Sequence, residues 1–324
     1  MRAAWYEKQG LAREVLEVGI MPNPAPEPGE VRIRIAASGI NPGDIKKRQD
    51  AFGYGMPYPR VIPHSDGAGN VDLVGEGVAT DWIGRRVWCY GAQSYRAFGT
   101  AAEYTVVPAS QTVSLPEDVS FEQGACLGIP AITAHRCVHA AGPVEGRTVL
   151  VQGAVGAVGI CAVQLASRAG ATVIATVQAT SDEDIARNAG AHHVVPVGPG
   201  LIQRVRALAP NGVDHIVEVA FGANIATDLE LLAVHGSIAT YATDNHEPRI
   251  PFWPLLFKNI RVDFLGSDDF TAADKAEAAR AVNEALAARW VGMPIAARFS
   301  LEEIATAHEA VEASRQRGRV VVML

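Results

Sequence analysis

Three glycines stand where chemistry is easiest to read in this 324-residue chain. Gly153, Gly156 and Gly159 belong to the run Gly153-Ala154-Val155-Gly156-Ala157-Val158-Gly159. Before it lies an apolar stretch, Thr148-Val149-Leu150-Val151-Gln152. After it come Val158, Ala162, Leu165, Ala166 and Ala169, spaced as one face of a helix over about Gly156 to Ala169. Strand, tight turn and helix in that order suit a pyrophosphate. Glycine lets the chain turn sharply, lets the backbone approach the phosphates and lets the helix pack on the sheet. The helix N-terminus then offers free N–H groups and a positive dipole. The spacing Gly-x-x-Gly-x-x-Gly departs from Gly-x-Gly-x-x-Gly, so the motif draws its force from the β-α-β unit around it. The alternative is that the glycines serve helix–strand packing alone.

The second strand of that unit, Ala171–Val177, bears on which nucleotide is held. An NAD-binding unit usually ends this strand on Asp or Glu, which holds the ribose hydroxyls. Here it runs into Gln178-Ala179-Thr180-Ser181, with no acid before Asp182 and no base before Arg187. Missing acid and present hydroxyls lean toward the 2′-phosphate of NADPH, with NADH left open. The cysteines Cys89, Cys126, Cys137 and Cys161 contain no Cys-x-x-Cys pair, which argues against a structural zinc lobe and a disulfide framework. His64 beside Asp66 reads better as a turn or structural histidine than as half of a metal site.

These residues must be carried by folded elements, and the composition allows it. Hydrophobic residues are 48% and charged residues 19%, as in ordinary globular cores. Lys and Arg total 28 against 35 Asp and Glu, a net charge of −7 that argues against nucleic acid as a partner. Arg289, Arg298, Arg315, Arg317 and Arg319 could at most form a small basic patch. Met1–Lys8 lacks the apolar core of a signal peptide, and no run approaches the ~18 apolar residues of a membrane span. The expectation is a soluble cytoplasmic protein.

The first ~120 residues read as short strands between turns. Val31-Arg32-Ile33-Arg34-Ile35 alternates as a half-buried strand does, and further segments follow at Gly67–Val74, Arg86–Tyr90 and Ala102–Val107. From about 120 to 265, strands alternate with helical stretches, implying a parallel sheet covered on both faces. Gly170 is the expected C-terminal cap of the first helix, and similar units recur at Ile185–Val195 and Val213–Ala242. Helices over Ala272–Arg289 and Leu301–Arg315 and a strand Val320–Val322 close the chain. Pattern alone does not say which domain these last pieces complete.

Several further motifs carry a family resemblance over nearly the whole length. They are Ser38-Gly39-Ile40-Asn41-Pro42-Gly43-Asp44, Pro63-His64-Ser65-Asp66-Gly67-Ala68-Gly69, Gly128-Ile129-Pro130-Ala131-Ile132-Thr133-Ala134, the glycine turn, and Asn188-Ala189-Gly190-Ala191-His192. In that order and spacing they resemble the medium-chain dehydrogenase/reductases, in the zinc-free quinone oxidoreductase (zeta-crystallin-like) branch. The resemblance implies an α/β protein: a Rossmann doubly wound parallel sheet plus a GroES-like β-rich catalytic domain. It places the catalytic domain at 1–123 and 268–324 and the dinucleotide-binding domain at 124–267, with the active site in the cleft. It also implies a homodimer whose Rossmann sheets join edge to edge.

The same resemblance implies roles for residues. The zinc ligands of metal-dependent relatives correspond to Asn41, Ser65 and Ile129, which cannot replace thiolate and imidazole, so no zinc is expected. Asn41 is the first catalytic candidate, near nicotinamide and substrate; its other reading is a cap before Pro42. Asp44 joins it in an orienting role, and Tyr54, or Phe52, falls where relatives carry a substrate-pocket tyrosine. Cofactor contacts are expected from Thr133, from Gly153, Val155, Gly156, Ala157, Val158 and Gly159 of the turn, and from Asn224. Tyr241, Ala242, Thr243, Phe264, Leu265, Gly266 and Arg319 complete the set. Asp182 or Asp184 stands where relatives often have a lysine, and Val197 roughly where they have a tyrosine, so two expected 2′-phosphate contacts are missing. The activity implied is hydride transfer from NADPH to a quinone. The alternative is an enoyl or 2-alkenal reductase acting on α,β-unsaturated carbonyls; a nucleotide-binding protein with little catalysis is the reading from another class.

Overall fold

The structure, a computed structural model, describes residues 1–288, 290–313 and 317–324. It separates into two compact units, unit 1 being Met1–Ile129 with Ala279–Leu324 and unit 2 Pro130–Ala278. The joins expected at 123/124 and 267/268 lie at 129/130 and 278/279, both inside helices, where no turn residue marks them. Arg289 and Arg315 of the expected basic patch lie outside the described residues.

Unit 1 opens with β1 (Arg2–Trp5), α1 (Ala12–Val15), β2 (Glu17–Ile20), β3 (Glu30–Gly39) and α2 (Pro42–Arg48). It continues through β4 (Asp66–Val74), β5 (Arg86–Cys89), β6 (Tyr104–Pro108), β7 (Thr112–Ser114) and α3 (Phe121–Gly124). Helix α4 (Gly128–His139) leads into unit 2, which holds β8 (Thr148–Val151), α5 (Ala157–Arg168), β9 (Thr172–Val177), α6 (Glu183–Asn188) and β10 (His193–Pro196). There follow α7 (Leu201–Leu208), β11 (Val213–Glu218), α8 (Phe221–Leu231), β12 (Leu232–Thr240), α9 (Phe252–Phe257) and β13 (Arg261–Phe264). Helix α10 (Ala272–Ala287) leads back to β14 (Ile295–Ser300), α11 (Ile304–Glu312) and β15 (Arg319–Met323).

The alternation in β3 sets the character of unit 1. Val31, Ile33 and Ile35 are buried, while Arg32 and Arg34 point to the other face. There Arg32 is held by Asp72 on β4, at 3.0 and 2.7 Å, and lies 4.8 Å over the Tyr104 ring of β6. Strand β3 pairs antiparallel with β4, β6 and β15, at the centre of a sheet ordered β14-β15-β3-β4-β5-β7. The last strand therefore completes the first domain, the question the sequence pattern left open. Its register, Val321 opposite Gly39, sets Arg319 beside the β3 end from which Asn41 emerges. Gly39 is obligatory there, since a Cβ would sit 2.0 Å from the Ala125 carbonyl oxygen.

In unit 2 the six strands are all parallel and ordered β10-β9-β8-β11-β12-β13. The chain winds outward from β8 in one direction and from β11 in the other, so the order reverses between these two. Val149, Leu150, Val151, Ile216 and Val217 have no exposed surface, as strands covered on both faces require. The first helix ends as its sequence indicates, with Gly170 at φ +81° just past the cap.

Candidate active site

The glycine turn follows β8, at the point where the strand order reverses. Gly153 has φ +63°, a left-handed turn out of the strand. Gly156 is the N-cap of α5 and gives it no side-chain cap, so the first N–H groups of this twelve-residue helix stay available to an anion. Gly159 is the packing glycine, because a Cβ there would lie 2.3 Å from the Gly153 carbonyl oxygen. Val155, Ala157 and Val158 line the turn, half-buried. Thr133 on α4 is buried and its hydroxyl has no hydrogen-bond partner among the described residues. An uncapped helix start and an orphaned buried hydroxyl fit the phosphates and amide of a nicotinamide dinucleotide.

The turn rests on buried polar groups that the sequence reading missed. Thr176 Oγ1 accepts the Gly153 N–H at 3.1 Å and donates to Gln152 Oε1 at 2.8 Å. Gln152 Nε2 donates to Asp228 Oδ1 at 2.9 Å. Burial, then the nearby Glu218 carboxylate and a hydrogen bond with it, holds the Asp228 carboxyl well above its usual range. Glu218 also accepts the Ala220 backbone N–H and Asn224 Nδ2, the latter at 3.0 and 3.2 Å. The amide nitrogen of Asn224 is thus committed to Glu218. The signal that could have been read is an acid on the inner face of α8, between the buried Ile225 and Leu229.

The remaining expected cofactor residues of unit 2 gather at the carboxyl ends of β12 and β13, the edge where doubly wound sheets bind ligands. Tyr241 is half-buried, and burial pushes its hydroxyl well above its ordinary value. The Ala242 carbonyl accepts from Phe221 N at 3.2 Å, and Thr243 Oγ1 from Gly222 N at 3.3 Å. Leu265 N donates to the Thr240 carbonyl at 2.9 Å, Gly266 follows it, and Phe264 meets the Phe221 ring edge to face at 5.3 Å.

Unit 1 gathers a different kind of site around Asn41, the N-cap of α2. The Asp44 carboxylate accepts the Asn41 backbone N–H at 2.7 Å, and the two residues form a capping box at the start of α2. Asn41 is thus the cap that its other reading expected, and its side chain makes two further bonds. Its Nδ2 donates to Asp66 Oδ2 at 2.7 Å and its Oδ1 accepts from Arg319 Nη2 at 2.8 Å. The Asp66 carboxylate is fixed in turn by Ile129 N, at 2.9 and 3.0 Å. A cation on the oxygen and an anion on the nitrogen leave the amide one orientation, with the second Nδ2 hydrogen uncommitted among the described residues. Ser65 Oγ and Arg319 Nε are also buried without a hydrogen-bond partner among the described residues.

Arg319, grouped by sequence with the nucleotide, is 5% exposed and serves Asn41. Tyr54 is not brought to these groups; it is 88% exposed and stacks on Phe52 at 6.0 Å. Asp66 drew notice only beside His64 and not as a partner of Asn41, although an acid opening a strand of Gly67-Ala68-Gly69 needs a partner once buried.

Comparison with known proteins agrees with both halves. Residues 27–117 match the family of alcohol dehydrogenase GroES-like domains, and 157–284 that described as zinc-binding dehydrogenase. The quinone oxidoreductase of Rattus norvegicus is 30% identical over 310 residues, 93% of this chain and 91% of that one. A native mycobacterial structure in complex with NADPH superposes over 100% of both chains, with a TM-score of 0.86 at 26% identity. An alcohol dehydrogenase superfamily protein from Novosphingobium aromaticivorans gives a TM-score of 0.89 at 26% identity, covering 100% of this chain and 99% of that one. Paired with the parallel sheet, its glycine turn and the strand-completed antiparallel domain, these likenesses make the chain a member of the medium-chain dehydrogenase/reductase superfamily, an oxidoreductase of its quinone oxidoreductase-like group.

Proposed function

We propose that the protein reduces quinones at the expense of NADPH, without zinc. The observation that carries this reading is the Asn41 amide, locked by Asp66 and Arg319 with one N–H free. The bound nicotinamide supplies the hydride. Asn41 donates its free N–H to the acceptor's carbonyl oxygen, where negative charge develops as the hydride arrives. Because the amide is already held on both sides, it need not reorganise to meet that charge. No further acid is required of the chain, and solvent protonates the product.

Three observations support the finer points. The amide oxygen of Asn41 lies 2.8 Å from a guanidinium nitrogen, and Ser65 and Ile129 offer a hydroxyl and a hydrocarbon, a poor donor set for Zn²⁺. After β9 the chain exposes Gln178, Thr180 and Ser181, while Asp182 is buried, which removes one of the two acids that would repel a 2′-phosphate. Strand β13 is the outer strand of its sheet, and Phe252, Trp253, Phe257 and Phe264 are exposed on it and on α9, which favours a homodimer joined there.

Paired fluorescence titrations with NADPH and NADH, followed by oxidation assays with 1,4-benzoquinone and 2-hexenal in EDTA, test the proposal. It expects tighter NADPH binding and quinone turnover indifferent to the chelator. Turnover of the alkenal alone establishes the enoyl or 2-alkenal reductase, NADH preference overturns the cofactor assignment, and loss of activity in EDTA restores a metal.

A further inference from the structure

Two buried histidines take no part in the chemistry described so far. His64, at φ +76° just before β4, and His308, on α11, have no exposed surface. Their Nε2 atoms face each other at 2.9 Å, with the rings 5.1 Å apart and 23° from parallel. Two such nitrogens cannot both donate, so one of them is bare.

The neighbours decide which. Thr100 Oγ1 gives its only proton to the Asp66 backbone carbonyl at 2.7 Å, so toward Ser38 Oγ, also at 2.7 Å, it accepts. Ser38 has then used its own proton and accepts from His64 Nδ1 at 2.8 Å. His64 is therefore protonated on Nδ1, and its bare Nε2 accepts the Nε2–H of His308. That leaves His308 Nδ1 bare toward Arg48 Nε, 3.4 Å away. Arg48, the last residue of α2 and fully buried, is anchored by the Gly10 carbonyl and the Glu312 carboxylate. Helix α2 begins at the Asn41 cap, and Asp66 holds the Asn41 nitrogen, so the path returns to its start.

We propose that His64 and His308 are positioning residues for Asn41, closing a ring with its two supports, helix α2 and Asp66, in which five hydrogen bonds run in one direction from Arg48 to the Asp66 backbone carbonyl and the Asn41 amide meets them there by donating to the Asp66 carboxylate. The ring has one hydrogen per link. A second proton on either imidazole would set two N–H groups face to face. Burial, reinforced by the Arg319 charge, keeps His64 neutral down to about 3, and burial with His64 and Arg48 pushes His308 the same way. The proposal rests on the reading of Asn41 as the hydrogen-bond donor to the acceptor.

The test has two arms on the full-length protein. Histidine ¹⁵N NMR at neutral pH, assigned with His64→Asn and His308→Gln, should show His64 protonated on Nδ1 and His308 on Nε2; the opposite pair overturns the ring. Steady-state rates with benzoquinone form the second arm. His308→Leu deletes the donor to His64 and should lower kcat about tenfold, leaving NADPH affinity within about twofold. His308→Gln restores an amide donor there and should recover kcat to within about threefold of wild type. A wild-type kcat in His308→Leu, or equal impairment in both variants, overturns the positioning role. Should His308→Leu fail to fold, His64→Asn replaces it: asparagine tolerates the positive φ and keeps the Ser38 link but breaks the ring. Its kcat should fall, and an unchanged kcat counts against the proposal. Asn41→Ala in the same assay separates the two ideas, because undiminished turnover there refutes the reading of Asn41 while the tautomers still decide the ring.

Discussion

Both units bury a chain of polar side chains, and the two chains end differently. In unit 1 the bonds through Asp66 and Arg319 converge on a side chain, the Asn41 amide. In unit 2 the bonds through Thr176, Gln152, Asp228 and Glu218 converge on backbone, the N–H groups of Gly153 and Ala220. A donor built from a side chain is lost by removing atoms. A cradle built from backbone is lost by adding one.

The sharpest test of that contrast is Asn41→Ala. It removes the donor and leaves the glycine turn untouched, so kcat/KM for benzoquinone should fall about 10²- to 10³-fold, with NADPH affinity unchanged in a fluorescence titration. A comparable loss of NADPH affinity would mean that the two sites are not separable in this way.

Acid and alkali should act on different units. His64 and His308 are held neutral in the fold but titrate near 6.5 when unfolded, so below that pH the unfolded chain binds more protons. Their contribution to stability is complete above about 6.5 and declines as pH falls, for His64 by about 1.4 kcal/mol per pH unit toward pH 3 and for His308 in the same direction. Asp228 has the opposite sign. Its folded pKa is raised, so its contribution is complete below the ordinary aspartate pKa and fades as pH rises. Urea unfolding across pH should show the acid limb flattened by His64→Asn and the alkaline limb by Asp228→Asn; an unaltered acid limb in His64→Asn would place the acid sensitivity elsewhere.

Gly159→Ala adds one carbon 2.3 Å from the Gly153 carbonyl oxygen. It should cost about 1–3 kcal/mol in thermal or urea unfolding and weaken NADPH binding. Wild-type affinity in the variant would show that the turn tolerates displacement. The smallest expected effect is that of Asp228→Asn. Its amide can accept from Gln152 and donate to Glu218, so stability at pH 7 should change by less than about 1 kcal/mol. Asp228→Ala, which leaves Gln152 and Glu218 without a partner, should cost about 1–3 kcal/mol. Equal losses in both variants would mean that Asp228 is ionised.

Local periodicity made much of the fold legible. The alternation of Val31–Ile35, the run Thr148–Gln152 before the glycines and the Gly170 stop each describe a short stretch whose conformation its own residues settle. The expected joins at 123/124 and 267/268 could not be placed this way, because the chain passes between units inside the continuous helices α4 and α10. Asn41, Asp66 and Arg319 each came into view, but their pairing did not. Asp66 lies 25 residues away and Arg319 278 residues away, and nothing in a local pattern pairs them. His64 read as structural on its own, since its significance depends on a second histidine 244 residues later. Asp228 was overlooked because an acid in a helical segment ordinarily faces water.

Strand β15 has a bearing on how the protein is made. A nascent chain emerging from a ribosome presents β3 and β4 early, then the whole of unit 2, and only afterwards the strand that pairs with β3 and delivers Arg319. Since domains fold as units during synthesis, the parallel sheet can close while the antiparallel one still lacks a strand. Translation thus presents the whole of unit 2 before the Asn41 amide acquires its second anchor.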